Sequence, residues 1–314
     1  MTTTTARRVV AAAFGGPEVL EMQEVELAEP GPGQVLVSLR AAGVNPIDAR
    51  LYGGPGDPAH LPIVLGYEGA GVVTAVGEGA ADDQGPLSVG DEVIAFRASA
   101  AYATDLLADA GSLTRKPATL GWTEAAVLML SGATAVHALS ATAVGEGDTV
   151  LVNGAAGGVG LYAVQLARLR GAARVIATAS EDSHGLLRDL GAEPVVYGDG
   201  LLERVRALAP QGVDAALDLV GSDEALDVSL ALVPDRSRVT TIAHFVRGPQ
   251  EGVMLPGGPE SEEIRDAARP ELARLAGEGR LKILVAQTYP LAEAAAAHRQ
   301  IATGHTTGKL ALLP

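Results

Sequence analysis

The chain of 314 residues contains no cysteine. That absence excludes disulfides, thiolate nucleophiles, iron–sulfur clusters and every zinc site built on thiolates. Basic residues are scarce as well: 23 Lys and Arg stand against 38 Asp and Glu, a formal net charge of −15. Such a balance offers no basic face for nucleic acid or an anionic membrane, and neither is expected as a partner. Long apolar runs are missing too. The longest uncharged stretch, residues 125–144, carries His137, Gly132, two serines and two threonines, and reads as a buried helix rather than a membrane span. The opening MTTTTARRVV has no apolar block ending at a small-residue cleavage site, so the expectation is a cytoplasmic protein without a secretion signal. No Gly-x-Ser-x-Gly elbow or P-loop lysine motif is present, which leaves triad hydrolysis and P-loop nucleotide hydrolysis without support. None of the six histidines has a paired ligand spacing, and no metal site is expected.

What is present is a hydrophobic content of 47% and a length that suits two domains. The first third reads as short strands broken by Gly and Pro: RRVVAAAF, VLEMQEVEL, GQVLVSLRAAGV, GAGVVTAVG and GDEVIAF. Their spacing predicts an all-β unit. From about residue 146 the rhythm changes, and apolar runs alternate with helical patterns. Six apolar strands, from DTVLVN to LKILVAQ, predict an α/β doubly wound parallel sheet. Gly171, Gly191 and Gly277 follow helical runs as left-handed C-caps would. Residues 247–260, rich in Gly and Pro, read as a loop.

Strand DTVLVN runs into Gly154-Ala155-Ala156-Gly157-Gly158-Val159-Gly160, which opens the helical run LYAVQLARLR. A dinucleotide cradle requires small residues here, for a tight turn, for close approach of backbone to a pyrophosphate and for packing of helix on strand. Ala156, Gly157, Gly158, Val159 and Gly160 are therefore cofactor candidates, with the helix N-terminus facing the phosphates. Twenty residues on, the second strand ends at Ser180 rather than at the acid that would hold a ribose 2′-hydroxyl, and His184 and Arg188 follow. A neutral donor backed by basic groups suits a 2′-phosphate, so the expected cofactor is NADPH. Glu181 and Asp182 read as acidic residues of a first helical turn. Ile242, Ala243 and His244 end the fifth strand, at the carboxyl edge where such sheets bind ligands. Asn45 is a candidate catalytic donor because an amide N–H can meet a carbonyl oxygen gaining charge; Tyr52 and Tyr67 are candidate proton donors. Asp48 reads as structural.

The strings Leu65-Gly66-Tyr67-Glu68-Gly69-Ala70-Gly71, Val44-Asn45-Pro46-Ile47-Asp48, Ser131-Gly132-Ala133-Thr134-Ala135, the glycine loop and the ending Gly304-His305-Thr306-Thr307-Gly308-Lys309-Leu310 together resemble the medium-chain dehydrogenase/reductase superfamily. The closer resemblance is to its zinc-free quinone oxidoreductase branch, the zeta-crystallin-like proteins, over nearly the whole chain. The resemblance implies a GroES-like substrate domain formed by residues 1–123 and 283–314, a Rossmann domain formed by 124–282, and an active cleft at their junction. It also implies that the final strand KLALLP leaves the parallel sheet to complete the N-terminal unit. Tyr67 stands where zinc-dependent members carry His. Without a metal to polarise a simple ketone, the remaining chemistry is hydride transfer from NADPH to a small, already electrophilic molecule, a quinone or an activated alkene. The resemblance further places Asn45 beside the nicotinamide, Thr134 on the cofactor, Tyr197 near the adenine ribose phosphate, and Met254 and Leu255 at the carboxamide. Two tyrosines frequent in such reductases are replaced by Arg50 and Gly56. An enoyl-thioester reductase and a cofactor-binding protein with little turnover are the alternatives. A homodimer joined at sheet edges, through residues 253–255, is a further implication.

Overall fold

A computed structural model describes residues 3–314. The chain divides into two compact units, one running to Leu130 and resuming at Pro270, the other from Ser131 to Arg269.

The first unit is built on strands. Thr4–Ala11 pairs antiparallel with Leu20–Leu27 and, at its end, with Ile63–Val64. A seven-stranded sheet runs in the order Leu113–Arg115, Glu92–Phe96, Glu68–Val76, Gln34–Val44, Lys309–Leu313 and Val285–Pro290, with Asp105–Asp109 also on Gln34–Val44. Its longest strand, Gln34–Val44, is buried at most positions, which is why it reads as a nearly continuous apolar run rather than an alternating one. The core is made chiefly of Val, Leu and Ala, and Tyr52 and Tyr102 are its two largest fully buried side chains. Lys309–Leu313 pairs antiparallel with Gln34–Val44, as the resemblance implies for the final strand.

In the second unit five parallel strands lie in the order Glu193–Val195, Arg174–Thr178, Thr149–Asn153, Ala215–Asp218, Val239–Thr241. The order reverses at Thr149–Asn153, the strand feeding the glycine loop, and this is where open α/β sheets bind ligands. The expected sixth strand is not here. Only the end of the expected run is a strand: Val285–Pro290, mostly exposed, pairs parallel with Lys309–Leu313 in the first unit, while residues 281–284 before it are not in a strand. Residues 247–260 are likewise not all loop: they contain the helix Arg247–Gln250 and the start of the helix Gly258–Ala267. Ser261 of that second helix is hydrogen-bonded to His137 Nδ1 at 2.9 Å, both side chains buried. Gly171 and Gly191 take the expected left-handed conformation, whereas after Arg269–Gly277 the left-handed residue is Gly279, not Gly277. A Cβ on Gly277 would stand 2.8 Å from Pro117 Cβ, so that glycine serves a close contact instead. Among the described residues no helix is long and apolar enough to cross a membrane.

Candidate active site

In the second unit the glycine loop joins Thr149–Asn153 to the helix Gly158–Leu169. Gly154 N–H donates to Thr178 Oγ1 at 3.0 Å and Ala155 N–H to the Thr178 carbonyl, so the loop is fastened to the neighbouring strand end. A Cβ on Gly160 would fall 2.3 Å from the Gly154 carbonyl oxygen and 2.6 Å from Ala155 Cα; only glycine lets helix and loop approach so closely. At Gly157 the nearest protein atom to such a Cβ is 3.4 Å away, an ordinary contact. The first intrahelical bond is Leu161 N–H to Gly157 O, and neither a capping side chain nor an acidic residue occupies the first turn. The N–H groups of Gly158, Val159 and Gly160 thus precede the helical ladder, as a phosphate-binding helix start requires.

The other cofactor candidates of this unit follow the carboxyl ends of its strands. Ser180, two residues past Arg174–Thr178, is exposed, and its side chain does not cap the helical turn it opens. Glu181 and Asp182 form that turn, as expected, and His184 is partly buried at the start of His184–Asp189. Tyr197 is exposed just beyond Glu193–Val195. Ile242 and Ala243 follow Val239–Thr241, shaped by a pair that sequence reading passed over. Buried Asp218 accepts from Val220 N–H at 3.1 Å, Gly221 N–H at 2.8 Å and Thr241 Oγ1 at 2.7 Å, and Thr241 Oγ1 accepts in turn from Ala243 and His244 N–H. Met254 lies beside the same strand, its carbonyl accepting from Thr241 N–H and its N–H donating to the Val239 carbonyl; Leu255 follows it, partly buried. Thr134 is partly buried on the helix Met129–Ala141.

The first unit holds the catalytic candidates, and there the amide of Asn45 is fully engaged. Its Nδ2 donates to the Gly43 carbonyl at 3.2 Å and to Glu68 Oε1 at 3.0 Å, which uses both hydrogens, and its Oδ1 accepts from Lys309 Nζ. Lys309 Nζ also donates to the Val44 carbonyl at 3.1 Å and lies 3.3 Å from Glu68 Oε1; Glu68 Oε2 accepts from Leu130 N–H at 2.8 Å. Lys309 and Glu68 are both buried. Neither was a candidate from sequence, although a lone charge within each apolar run, YEGAGVV and GKLALL, is the signal that marks a buried pair.

Asn45 also begins the helix Pro46–Arg50, where Asp48 Oδ2 accepts from Asn45 N–H at 3.0 Å. Asp48 is wholly buried; its Oδ1 accepts from Gly66 N–H and its Oδ2 from Tyr102 OH, each at 3.1 Å. Burial drives its carboxyl up to about 7, against these three donors and the charge of Lys309. Tyr102 OH lies 3.0 Å from His298 Nε2, and His298 Nδ1 lies 2.6 Å from Tyr52 OH. Burial takes the imidazole down to about 4, and burial followed by the charges of Asp48 and Glu18 lifts the Tyr52 phenol to about 12. Tyr52 is therefore a core residue whose hydroxyl is engaged by His298. Tyr67, next to Gly66, is partly exposed, and its hydroxyl has no hydrogen-bond partner among the described residues. Burial, then the charge of Asp48, raises its phenol as well. Close to Tyr52 in the chain, Phe14, Leu51, Gly56, Pro62, Ile63 and Val64 line a hollow of about 440 Å3. The Phe14 ring lies 2.3 Å from where a Gly56 Cβ would be, so Phe14 fills the space of any side chain at that position.

A dinucleotide cradle at a parallel-sheet switch point, with a separate β unit bearing buried polar groups, defines a nicotinamide-type dehydrogenase or reductase. Residues 31–106 match the alcohol dehydrogenase GroES-like domain and residues 190–312 the zinc-binding dehydrogenase family. The quinone oxidoreductase of Pseudomonas aeruginosa is 35% identical over 98% of this chain and 100% of its own length. A mycobacterial protein solved in complex with NADPH has a TM-score of 0.85 at 32% identity, covering 98% of this chain and 100% of that one. The Escherichia coli quinone oxidoreductase, also solved with NADPH, has a TM-score of 0.85 at 29% identity over the same shares. The chain belongs to the medium-chain dehydrogenase/reductase superfamily, in its quinone oxidoreductase branch. The residues present do not suit the zinc that one family description names: the chain has no cysteine, and no three His, Asp or Glu residues converge among the described ones.

Proposed function

We propose that the protein is an NADPH-dependent reductase of quinones or activated alkenes. The observation that carries this reading is the glycine loop, whose open N–H groups and Gly160 contact fit a pyrophosphate at the switch point of the sheet. Gly157, Gly158 and Val159 would hold the phosphates through backbone N–H groups. Exposed Ser180 would meet the 2′-phosphate with His184 close behind in sequence, and Ile242, Ala243 and the Met254 and Leu255 backbone would bound the nicotinamide. When bound, NADPH supplies the hydride.

The chain's own residues supply orientation and, for an alkene, a proton. Asn45 is better suited to organising the site than to donating to substrate, because both its amide hydrogens are taken. Tyr67 is the proton donor best supported among the candidates. Its hydroxyl has no hydrogen-bond partner among the described residues and, like any phenol, is protonated at neutral pH, whereas Tyr52 is buried against His298. The hollow beside Phe14, mainly apolar but with Asp57 and His60 in its lining, suits a planar or aliphatic electrophile that carries a polar group. A homodimer rests on the family resemblance, since the Met254 backbone itself pairs with the edge strand Val239–Thr241; the composition and cysteine content suit a cytoplasmic protein.

The test is NADPH oxidation followed by absorbance, with simple quinones and with conjugated enones or enoyl thioesters side by side and NADH as control. Turnover of either class supports the reductase, and turnover of the thioester alone moves the substrate to an enoyl carrier. Tight NADPH binding without oxidation by any of them overturns the enzymatic reading in favour of a binding protein.

A further inference from the structure

The line of groups from Tyr52 through His298 and Tyr102 to Asp48 lies inside the first unit and takes no part in binding cofactor or substrate in the reading above. Two arrangements of its donors and acceptors satisfy all three contacts while keeping the imidazole neutral, which its burial favours. With Asp48 anionic, its carboxylate accepts from Tyr102 O–H, leaving the Tyr102 oxygen to accept from His298 Nε2–H and His298 Nδ1 to accept from Tyr52 O–H. With one proton added from solvent, Asp48 donates to the Tyr102 oxygen, Tyr102 donates to His298 Nε2, and His298 Nδ1–H donates to the Tyr52 oxygen. Every bond in the row reverses, the imidazole stays neutral, and the balance is one proton gained. The ring of His298 is held for either state, stacked on Tyr52 at 5.7 Å between centroids and edge-on to Tyr102 at the same distance.

We propose that Tyr102 and His298 form a proton-ordered relay to Asp48, in which the charge of Asp48 and the tautomer of His298 change as one event. The anionic state is the one that fixes the backbone bearing Asn45 and Tyr67. The anion accepts more strongly than the neutral acid from the donors that converge on Asp48, and two of these are the N–H groups of Asn45 and Gly66. Asp48 thereby ties the start of Pro46–Arg50 to the residue before Tyr67. A Cβ on Gly66 would fall 2.3 Å from Tyr102 N, so this segment has no slack against Tyr102 either. The charged groups acting on the row are few. Lys309 favours the Asp48 anion, while the charge of Glu68 acts on Tyr102 and that of Glu18 on Tyr52. Asp48, Tyr102 and His298 are positioning residues for Tyr67, and that part of the inference rests on Tyr67 as proton donor.

The relay is tested in the wild-type protein by nitrogen-15 NMR of labelled histidine, with His298 assigned by its loss in His298→Gln. Between about pH 8.5 and 5.5, His298 is expected to pass from the Nε2–H to the Nδ1–H tautomer while remaining neutral, at the midpoint of the Asp48 carboxyl signal. A single tautomer across that range, the opposite order, or an imidazolium overturns the relay whether or not any substrate is turned over. Positioning is tested with Tyr102→Phe, which removes the hydroxyl and keeps the ring. The expected result for alkene reduction is a kcat on the order of 10- to 100-fold lower, NADPH KM within about twofold, and an acid limb of kcat displaced to higher pH. An unmoved acid limb in a folded variant overturns it. Tyr52→Phe, at the far end of the row, gives the same test should Tyr102→Phe not fold, with the His298 tautomer no longer following pH. If the wild type reduces nothing, the proposed function fails and the NMR result still decides the relay.

Discussion

Lys309 Nζ stands 3.3 Å from Glu68 Oε1, a buried ion pair joining the last strand of the chain to a central strand of the first unit. Each partner has further work: Lys309 also donates to Asn45 and the Val44 carbonyl, and Glu68 accepts from Asn45 and Leu130. The pair is thus the frame of the Asn45 amide. A Cβ on Gly43 would meet the Ala126 carbonyl oxygen at 2.6 Å as well as Glu68 Oε1 at 2.5 Å, so the backbone beside the pair requires glycine there.

Removing one partner leaves an uncompensated buried charge. Lys309→Met and Glu68→Gln are each expected to cost about 3–5 kcal/mol in urea unfolding, and the double variant less than the sum. Additive single effects would show that the two charges are satisfied independently.

A second expectation concerns pH. Asp48, with its folded pKa raised to about 7 from an ordinary 3.8, contributes stability that is fully present below pH 3.8 and is lost as pH rises through 7. His298, with its folded pKa lowered to about 4 from 6.5, contributes stability present above pH 6.5 and lost as pH falls through 4. The two oppose one another across the intervening window. Relative to wild type, His298→Gln should make stability fall more steeply as pH rises there, and Asp48→Asn should make it fall more steeply as pH drops. Each difference approaches at most about 1.4 kcal/mol per pH unit. Urea unfolding at a series of pH values reads both, and equal slopes in the two variants would sink the assignment.

In the proposed reading, Ser180 carries the cofactor preference. Ser180→Asp puts an anion where a 2′-phosphate would sit and removes a hydrogen bond to a charged group, worth about 1.5–3 kcal/mol. NADPH affinity is expected to fall about tenfold or more, with NADH affinity held or improved, as read by fluorescence titration. Unchanged NADPH affinity would place the phosphate elsewhere.

The parallel sheet was legible because strand, glycine loop and helix are local patterns, each of which states its own neighbour. The run around Val285 was not, since its mostly apolar residues 281–284 fall outside the strand and the pairing of the half-polar Val285–Pro290 is set by Lys309–Leu313, far along the chain. Asn45, Tyr52 and Tyr67 were visible as residue types with usable chemistry, but their partners were not. Tyr52 meets His298 across 246 positions and Asn45 meets Lys309 across 264, distances that no periodicity spans. Those partners decide which side chain has a free hydrogen, and so they redistribute the roles. His298 stands in an alanine-rich helix, AEAAAAHRQ, where an isolated polar ring facing the core was the one available sign.

The glycine loop separates folding from binding at two adjacent places. A methyl on Gly160 would collide with the Gly154 carbonyl and Ala155 Cα, both backbone and unable to yield cheaply. Gly160→Ala is therefore expected to lower stability by about 1–3 kcal/mol and to lose cofactor binding with it. A methyl on Gly157 meets only Gly154 O at 3.4 Å, so Gly157→Ala should melt within a few degrees of wild type. Its methyl instead intrudes on the space a pyrophosphate needs in order to reach the N–H groups of Gly158 and Val159. A thermal melt beside an NADPH titration distinguishes the two. If Gly157→Ala binds NADPH as tightly as wild type, the phosphate does not lie over this turn, and the helix start at Gly158 loses its assigned role.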